Sequence, residues 1–402
     1  MAGLSLSLLL VVGTVAWVTV RPDTYTADPG LGQAAPSVEP ALAARTLHDL
    51  EDAVARRDVA AAAALAPEDD PGAARLLAAV VRNARLLRVR DFSLRYVDEA
   101  GAVDASGAWQ AAVDTTWQLG GFDRAPARTE VRFGFVVDGA RVALASIGGG
   151  ERRTPLLLSG PLSVRRTATT LVLASTRTAV DRYARLAATA VPVVRRVLPR
   201  WQPRLVVEVP ASLDDLDRAL AADPGTYDNV AAVTTSVDGT LAPGSPVHVF
   251  VNPDVFGRLR SVGAQVVMSH ETTHVATDAA RSRSPLWLVE GFADYVALRD
   301  VDLPVTTTAG QIIDQVRRDG PPRQLPGTAE FDTTTSHLGA AYESAWLACV
   351  VLAARGGEQA LVRLYRRMDA GADLGVALES GFGWSEHALT AAWRARLADL
   401  AS

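Results

Sequence analysis

The stretch QVVMSHETTHVATDA, residues Gln265–Ala279, places two of the chain's six histidines four residues apart, with a glutamate directly after the first. The residues around the motif are compatible with a helix and predict one over about 260–279. On a helix, His270 and His274 lie on one face, one turn apart, so both imidazoles can bind a single metal ion. Glu271 lies beside that face, where its carboxylate can reach a water next to the ion. The pentad therefore predicts a metal centre with a glutamate as general base.

The next stretch, SPLWLVEGFADYVAL, predicts a second helix over about 285–299. Glu290 and Asp294 lie four residues apart on one face of it, and the residues around Glu290 are apolar. A carboxylate in such surroundings is costly unless it is paired or bound to a metal. This helix therefore predicts Glu290 as the third metal ligand. Asp294 would accept a hydrogen bond from one ligand histidine and fix its tautomer.

The order H-E-x-x-H and then E-x-x-x-D resembles the pattern of the gluzincin zinc metallopeptidases. The stretch HETTHVATDAARSRSPLWLVEGFADYVA is most similar to the peptidase MA-like group of that clan. The resemblance implies Zn²⁺ as the metal and peptide-bond hydrolysis as the reaction, with Glu271 as the general base. It also implies a thermolysin-like domain with a mainly helical C-terminal half, over residues 155–402. The implied zinc ligands are His270, His274 and Glu290, with Asp294 beside them.

The sequence departs from the better-known gluzincin branches, thermolysin and the zinc aminopeptidases, in two ways. The link between His274 and Glu290 is shorter than in thermolysin, which leaves open how Glu290 reaches the ion. No Gly-x-Met-x-Asn stretch, which marks the exopeptidase site of the zinc aminopeptidases, is found in the sequence. The metzincin pattern requires a glycine and a third histidine after the pentad, and this chain has Thr277 and Ala280 there. These features favour a gluzincin-type enzyme that is an endopeptidase or acts on an unusual substrate.

A hydrogen-bond donor to the developing oxyanion is also expected at such a centre. Tyr342, in HLGAAYESAW, stands in a context similar to that of the tyrosine with this role in the aminopeptidase branch. His337 is the alternative donor, and Tyr295 is less favoured than either. The strand VHVFV, Val247–Val251, is expected to be an edge strand that pairs with a peptide substrate. His248 in that strand is expected to be a cross-strand or surface residue.

Residues 39–150 predict a separate α+β domain, because helical patterns come first and alternating strands come after them. The order resembles the nuclear transport factor 2-like cone fold. This region contains no paired carboxylates, metal ligands or glycine-rich phosphate loop. It is therefore expected to be an accessory binding or spacer module, and IGGGERRTP, Ile147–Pro155, is the expected boundary.

The N-terminus carries an uncharged apolar run, Leu4–Val20. Its length reaches the lower limit for a membrane span, so residues 1–22 predict a transmembrane anchor or a cleaved signal segment. Residues 23–38 read as an extended linker. Arg21 would favour a cytoplasmic location for the rest of the chain. A large domain behind such a segment more often lies outside, so we expect the soluble part outside the cytoplasm, or secreted if the segment is cleaved.

The chain has 402 residues, a length that predicts two folded domains. Its composition, with 49% apolar and 21% charged residues, is that of a globular protein. A net charge of −5 gives no reason to expect a nucleic-acid partner. The single cysteine, Cys349, excludes an internal disulfide and a thiolate zinc site, and its apolar surroundings predict burial.

Two functions from different classes fit these observations. The first is a membrane-held zinc peptidase that acts on peptide or protein substrates. The second is a catalytically retired gluzincin-like scaffold that acts as a surface-tethered binding module. Retention of Glu271 favours the first, because a retired site has no chemical need for its base.

Overall fold

The structure is a computed structural model that describes residues 38–332 and 337–402. The predicted membrane segment, residues 1–22, and the linker up to residue 37 lie outside the described residues. Val38–Ser402 forms one compact unit. The described part of the chain is a mixed α+β fold with 14 α-helices and two sheets, which confirms the α+β character of the prediction.

The N-terminal part consists of three helices followed by an antiparallel sheet. The helices are α1 (Pro40–Arg56), α2 (Val59–Ala63) and α3 (Pro71–Leu87), and the strands are β1 (Val89–Glu99), β2 (Ala108–Leu119), β3 (Ala127–Asp138) and β4 (Arg141–Ile147). The side chains of Asp58 and Asp70 accept backbone N–H groups at the starts of α2 and α3. Gly139, with φ of 64°, makes the turn between β3 and β4.

The second sheet has five strands in the order β5-β6-β7-β9-β8. They are β5 (Ser163–Arg166), β6 (Thr170–Ala174), β7 (Leu205–Val209), β8 (Ala232–Ser236) and β9 (Val247–Val251). Strands β6, β7 and β9 are parallel, and β5 and β8 run antiparallel at the two edges. The expectation that Val247–Val251 is an edge strand is therefore wrong. That strand is internal, because β8 returns along its outer side.

The remaining helices first alternate along the chain with the strands of the second sheet and then form the described C-terminal part. They are α4 (Arg177–Val197), α5 (Leu213–Leu220), α6 (Pro253–Phe256), α7 (Ser261–Thr277), α8 (Leu286–Leu298), α9 (Val305–Thr308), α10 (Gly310–Asp319), α11 (Leu338–Gly356), α12 (Glu358–Asp369), α13 (Leu374–Phe382) and α14 (Glu386–Ala401).

Three apolar clusters form the core of the described residues. The first packs α1, α3 and the antiparallel sheet against one face of the second sheet, through residues such as Leu173 and Phe250. The second surrounds α11, and the third lies between α4, α7 and the other face of the second sheet. The helix α7 is therefore packed directly on the sheet.

Among the described residues, α11 is the one helix long and apolar enough to cross a membrane. Half of its most apolar window is buried inside the fold. Cys349 lies in this helix and is fully buried, as predicted. The apolar character of α11 is accounted for by its place at the centre of the C-terminal helices.

Candidate metal centre

The helix α7 carries the H-E-x-x-H pentad as a buried segment. His270, Glu271 and His274 are each 7–8% exposed. The hydroxyls of Thr272 and Thr273 donate to the carbonyls of Met268 and Ser269, one turn earlier, at 2.6 and 2.8 Å. Their polar groups are therefore satisfied within the helix, and the two imidazoles point to one side, as predicted.

A short connection turns the chain from α7 into α8. Asp278 ends α7 in the left-handed conformation, with φ of 52°, and a 3-10 turn over Ala279–Arg281 comes next. The guanidinium of Arg281 donates to the Asp278 carboxylate at 2.6 Å and to the carbonyls of Ala242 and Ser245. These bonds hold the connection against the loop before β9. The short link between the predicted ligands is therefore long enough to bring Glu290 to the histidines.

A glycine allows α8 to pack closely on α11. A Cβ atom at Gly291 would overlap the backbone carbonyl of Ala345 and would lie 3.1 Å from the sulfur of Cys349. Gly291 comes directly after Glu290, and Ala345 lies three residues after Tyr342. This close approach therefore fixes Glu290 and Tyr342 relative to each other.

The three predicted ligands meet at a single point. The Nε2 atoms of His270 and His274 are 2.8 Å apart, and Oε2 of Glu290 lies 3.1 and 3.2 Å from them. A tetrahedral ion about 2.1 Å from each ligand atom would hold those atoms roughly 3.4 Å apart. The three separations are therefore about 0.2–0.6 Å shorter than such an ion requires, with the two Nε2 atoms the closest pair. His270, His274 and Glu290 could hold a metal ion.

Asp294 lies behind the first histidine. Its Oδ1 atom is 2.7 Å from Nδ1 of His270, so Nδ1–H donates to the carboxylate and Nε2 is the ring nitrogen that faces the ligand triangle. Nδ1 of His274 is buried, and the described residues offer it no acceptor. The two imidazoles are thus held by different means, and the tautomer of His270 is the one fixed by a protein side chain.

The charges of the cluster depend strongly on one another. Burial acts to lower the pKa of His270, but the carboxylates of Asp294 and Glu290 outweigh it and hold that pKa well above its usual value. Burial acts to raise the pKa of Glu290, but the imidazoles of His274 and His270 hold it far below its usual range. Without a metal, protons therefore supply the positive charge that this cluster requires. A bound cation would displace them.

Glu271 lies beside the triangle and is held by a residue that the sequence did not indicate. Oγ1 of Thr234, on the edge strand β8, donates to Oε2 of Glu271 at 2.7 Å. Burial raises the pKa of the Glu271 carboxyl, and the imidazoles of His270 and His274 partly offset that rise. No local pattern could have found Thr234, because it lies 37 positions before its partner and meets it only through the sheet.

Tyr342 lies next to the cluster. Its ring centroid is 6.0 Å from that of His270, and its ring packs edge-on against Phe331 at 5.3 Å. Burial, and then the carboxylates of Glu290, Glu271 and Asp294, raise the pKa of its hydroxyl far above the usual value. The hydroxyl is therefore protonated at neutral pH and can act as a donor.

The two alternative donors differ from Tyr342 in their surroundings. The hydroxyl of Tyr295 donates to Oε2 of Glu358 at 3.3 Å. The same carboxylate accepts from the guanidinium of Arg299 at 2.6 Å. His337 is exposed at the start of α11. Of the three candidates, Tyr342 is the one whose ring packs against a predicted ligand.

His248 is not a surface residue and takes no part in the ligand triangle. It is 1% exposed, and its ring lies between two carboxylates, with Nδ1 2.7 Å from Glu208 and Nε2 2.9 Å from Asp123. Burial acts to lower its pKa, but Asp123 and Glu208 together raise that pKa to about 9. Asp123 belongs to the turn between β2 and β3, so this cluster joins the two sheets.

Comparison with known proteins gives no independent assignment. The chain matches no protein-family model, and no curated protein is detectably similar to it in sequence. The geometry of the cluster therefore has to carry any conclusion about function.

Proposed function

We propose that this protein is a zinc-dependent peptidase of gluzincin type, acting on peptide or protein substrates as an endopeptidase. The observation that carries the proposal is the convergence of His270, His274 and Glu290 within 3.2 Å of one another, with the carboxylate of Glu271 next to them. Two imidazoles and one carboxylate form a ligand set typical of catalytic zinc sites.

The residues around the triangle have separate tasks in this proposal. When bound, zinc supplies a Lewis acid that makes water nucleophilic near neutral pH. The Glu271 carboxylate accepts a proton from the attacking water and delivers it to the leaving nitrogen. The Tyr342 hydroxyl donates a hydrogen bond to the oxyanion that develops on the former carbonyl oxygen. Asp294 holds the His270 ring in the ligating tautomer.

The edge of the second sheet offers a place for an extended substrate. Strand β8 pairs on one side with β9 and is last in the strand order. It also carries Thr234, which bonds to Glu271. A peptide that adds to this edge would therefore lie beside the proposed base. The strand proposed to pair with a peptide substrate is therefore Ala232–Ser236, and not Val247–Val251.

We also propose a fold family for each of the two parts of the chain. Residues 39–150 would be a nuclear transport factor 2-like domain, supported by three helices followed by a four-stranded antiparallel sheet. Residues 155–402 would be a thermolysin-like domain, supported by a mixed sheet with an antiparallel edge strand and by the helical C-terminal part. The apolar run Leu4–Val20 would hold the protein at the membrane with its soluble part outside the cytoplasm.

Metal content is the first test. Elemental analysis of the full chain, purified in a non-ionic detergent, is expected to give about one zinc per chain. The His274→Ala variant is expected to lose most of that zinc. A matched control is His387→Ala, since His387 is exposed on α14. Equal zinc in the wild type and in His274→Ala would exclude the proposed site.

Hydrolysis is the second test and separates the enzyme from a retired scaffold. Digestion of a peptide library should be abolished by a chelator and restored by added zinc. The Glu271→Gln variant should keep its zinc and lose roughly 10²–10⁴-fold in kcat, the usual contribution of a general base. Tight zinc without chelator-sensitive cleavage would favour the surface-tethered binding module instead.

A further inference from the structure

A basic groove lies in the N-terminal part, far from the ligand triangle in the chain. It is formed by the C-terminal ends of α1 and α3 and the start of β1, and it has a volume of about 620 Å³. Four arginines line it: Arg57, Arg85, Arg88 and Arg90. All four are exposed, and none of them forms an ion pair with any described residue. We call this cavity the arginine groove.

The carboxylates in the groove do not neutralise these arginines. Glu51 is engaged elsewhere, because its two oxygens accept from the backbone N–H of Leu94 and pair with Nδ1 of His48 at 3.2 Å. Asp91 is exposed at the rim. With four arginines and two carboxylates, the groove keeps a formal charge of +2. Other arginines of the same sheet are paired, for instance Arg128 with Asp114.

The backbone around the groove is unusual. Arg57, Arg88 and Asp91 have φ values of 61°, 54° and 50°, in the left-handed region that residues other than glycine adopt at a cost. They are three of the five such residues in the described chain. Arg57 and Arg88 end α1 and α3 at positions where glycine is the usual and less strained choice. Attraction to the helix C-termini accounts for positive charge there, but not for Arg90 on β1.

We propose that the arginine groove binds a phosphate-bearing anion. Guanidinium groups present paired donors that match phosphate oxygens, and unpaired guanidinium groups gathered in one concave site are suited to a ligand with one or two phosphates. Such a phosphate is carried both by anionic lipid headgroups and by soluble phosphate compounds.

The test is calorimetric titration of the full chain in a non-ionic detergent with three probes. These are short-chain phosphatidylglycerol, short-chain phosphatidylcholine and inorganic pyrophosphate. Phosphatidylglycerol binding in excess of phosphatidylcholine binding identifies a lipid headgroup, and pyrophosphate binding alone identifies a soluble ligand. Binding of the preferred probe should weaken as salt is raised. If neither anion binds more tightly than phosphatidylcholine, the proposal is wrong.

Two variants test whether the arginine groove is the binding site. Replacing the four groove arginines with glutamine should weaken the preferred probe at least 10-fold. A control with the same charge change replaces four exposed arginines of the C-terminal part, Arg318, Arg323, Arg394 and Arg396, and should bind as the wild type does. An equal loss in both variants would show non-specific attraction and overturn the proposal.

Further variants separate an effect on binding from an effect on folding. Arg57→Gly and Arg88→Gly relieve the left-handed backbone, so each should raise the midpoint of thermal unfolding while it weakens binding. Arg85→Gln with Arg90→Gln leaves both helix ends unchanged and should also weaken binding. Stabilised glycine variants that bind as tightly as the wild type would show that these side chains serve no ligand.

Discussion

The hydroxyl of Thr234 fixes one oxygen of the Glu271 carboxylate at a distance of 2.7 Å. Thr234→Val removes this donor at nearly constant volume, so the carboxylate loses its orientation. A misplacement of about 1 Å in a reacting group can cost roughly 100-fold in rate. We therefore expect kcat for peptide hydrolysis to fall about 10–100-fold, with KM and zinc content unchanged, as measured by steady-state kinetics and elemental analysis.

Two controls attribute that loss to the hydroxyl. Thr234→Ser keeps the donor and should recover most of the activity. Thr235→Val changes the next residue of β8, whose cross-strand partner is His248, and should be neutral. A serine variant as slow as the valine variant would assign the effect to packing. A double-mutant cycle between Thr234→Val and Glu271→Gln reports the same coupling in unfolding experiments, independently of activity.

Asp294 would act on a bound metal ion through His270, since its carboxylate accepts from Nδ1–H at 2.7 Å. Removal of such a partner frees the ring and the tautomer, which typically lowers metal affinity about 10–100-fold. We expect this decrease in zinc affinity for Asp294→Ala, measured by competition with a chromophoric chelator. Asp302→Ala is a suitable control, because Asp302 is exposed just after α8. Unchanged affinity in Asp294→Ala would mean that packing alone orients the ring.

At the scale of elements, the α8–α11 contact sets the position of Glu290, the proposed third ligand. A methyl group at Gly291 would overlap the carbonyl of Ala345, which belongs to a helix backbone and cannot move alone. Gly291→Ala should therefore lower the free energy of unfolding by about 1–3 kcal/mol, the usual cost of overpacking a core. The displaced α8 should also carry Glu290 away from the histidines and weaken zinc binding.

A second glycine provides the control for this substitution. A Cβ atom at Gly263, in the first turn of α7, would meet nothing within 4 Å. Gly263→Ala should be neutral or stabilise the protein by up to about 1 kcal/mol, because alanine favours the helix. Urea unfolding of both variants gives the comparison. Equal stability of the two would show that α8 and α11 can separate without loss.

The sequence predicts some elements well and others poorly. The difference is whether an element is determined by neighbouring residues or by pairing with residues far away in the sequence. The joint position of His270 and His274 follows from their four-residue spacing in a stretch compatible with a helix, and the apolar surroundings of Glu290 identify a second helix. The order of β8 and β9 does not follow, because both strands read alike and only their pairing decides which one is internal. The partner of Glu271 is missed for the same reason, since Thr234 lies on a strand whose position is fixed by non-local pairing.

At the scale of the whole molecule, the two sheets share one apolar cluster and one buried set of charges. His248 on β9 lies between Glu208 on β7 and Asp123 from the turn of the other sheet. An ordinary histidine has a pKa of about 6.5 when unfolded, and these carboxylates raise that of His248 to about 9 in the folded chain. The folded state therefore binds more protons between these two values, and its stability must fall as pH rises through that range.

We expect the free energy of unfolding of the wild type and of His248→Gln to depend differently on pH. The stabilisation from His248 should be complete below about pH 6.5 and lost by about pH 9, a change of roughly 2–4 kcal/mol. His248→Gln should lack this component and be less stable than the wild type at pH 6, because it leaves Asp123 and Glu208 buried without a cation. Urea unfolding at pH 6, 7, 8 and 9 gives both curves, and their difference cancels the other groups that titrate there.

His48→Gln, which changes an exposed histidine, should show the same dependence of stability on pH as the wild type. Parallel curves for wild type and His248→Gln would mean that the buried imidazole is neutral and that its charge contributes nothing to joining the two sheets.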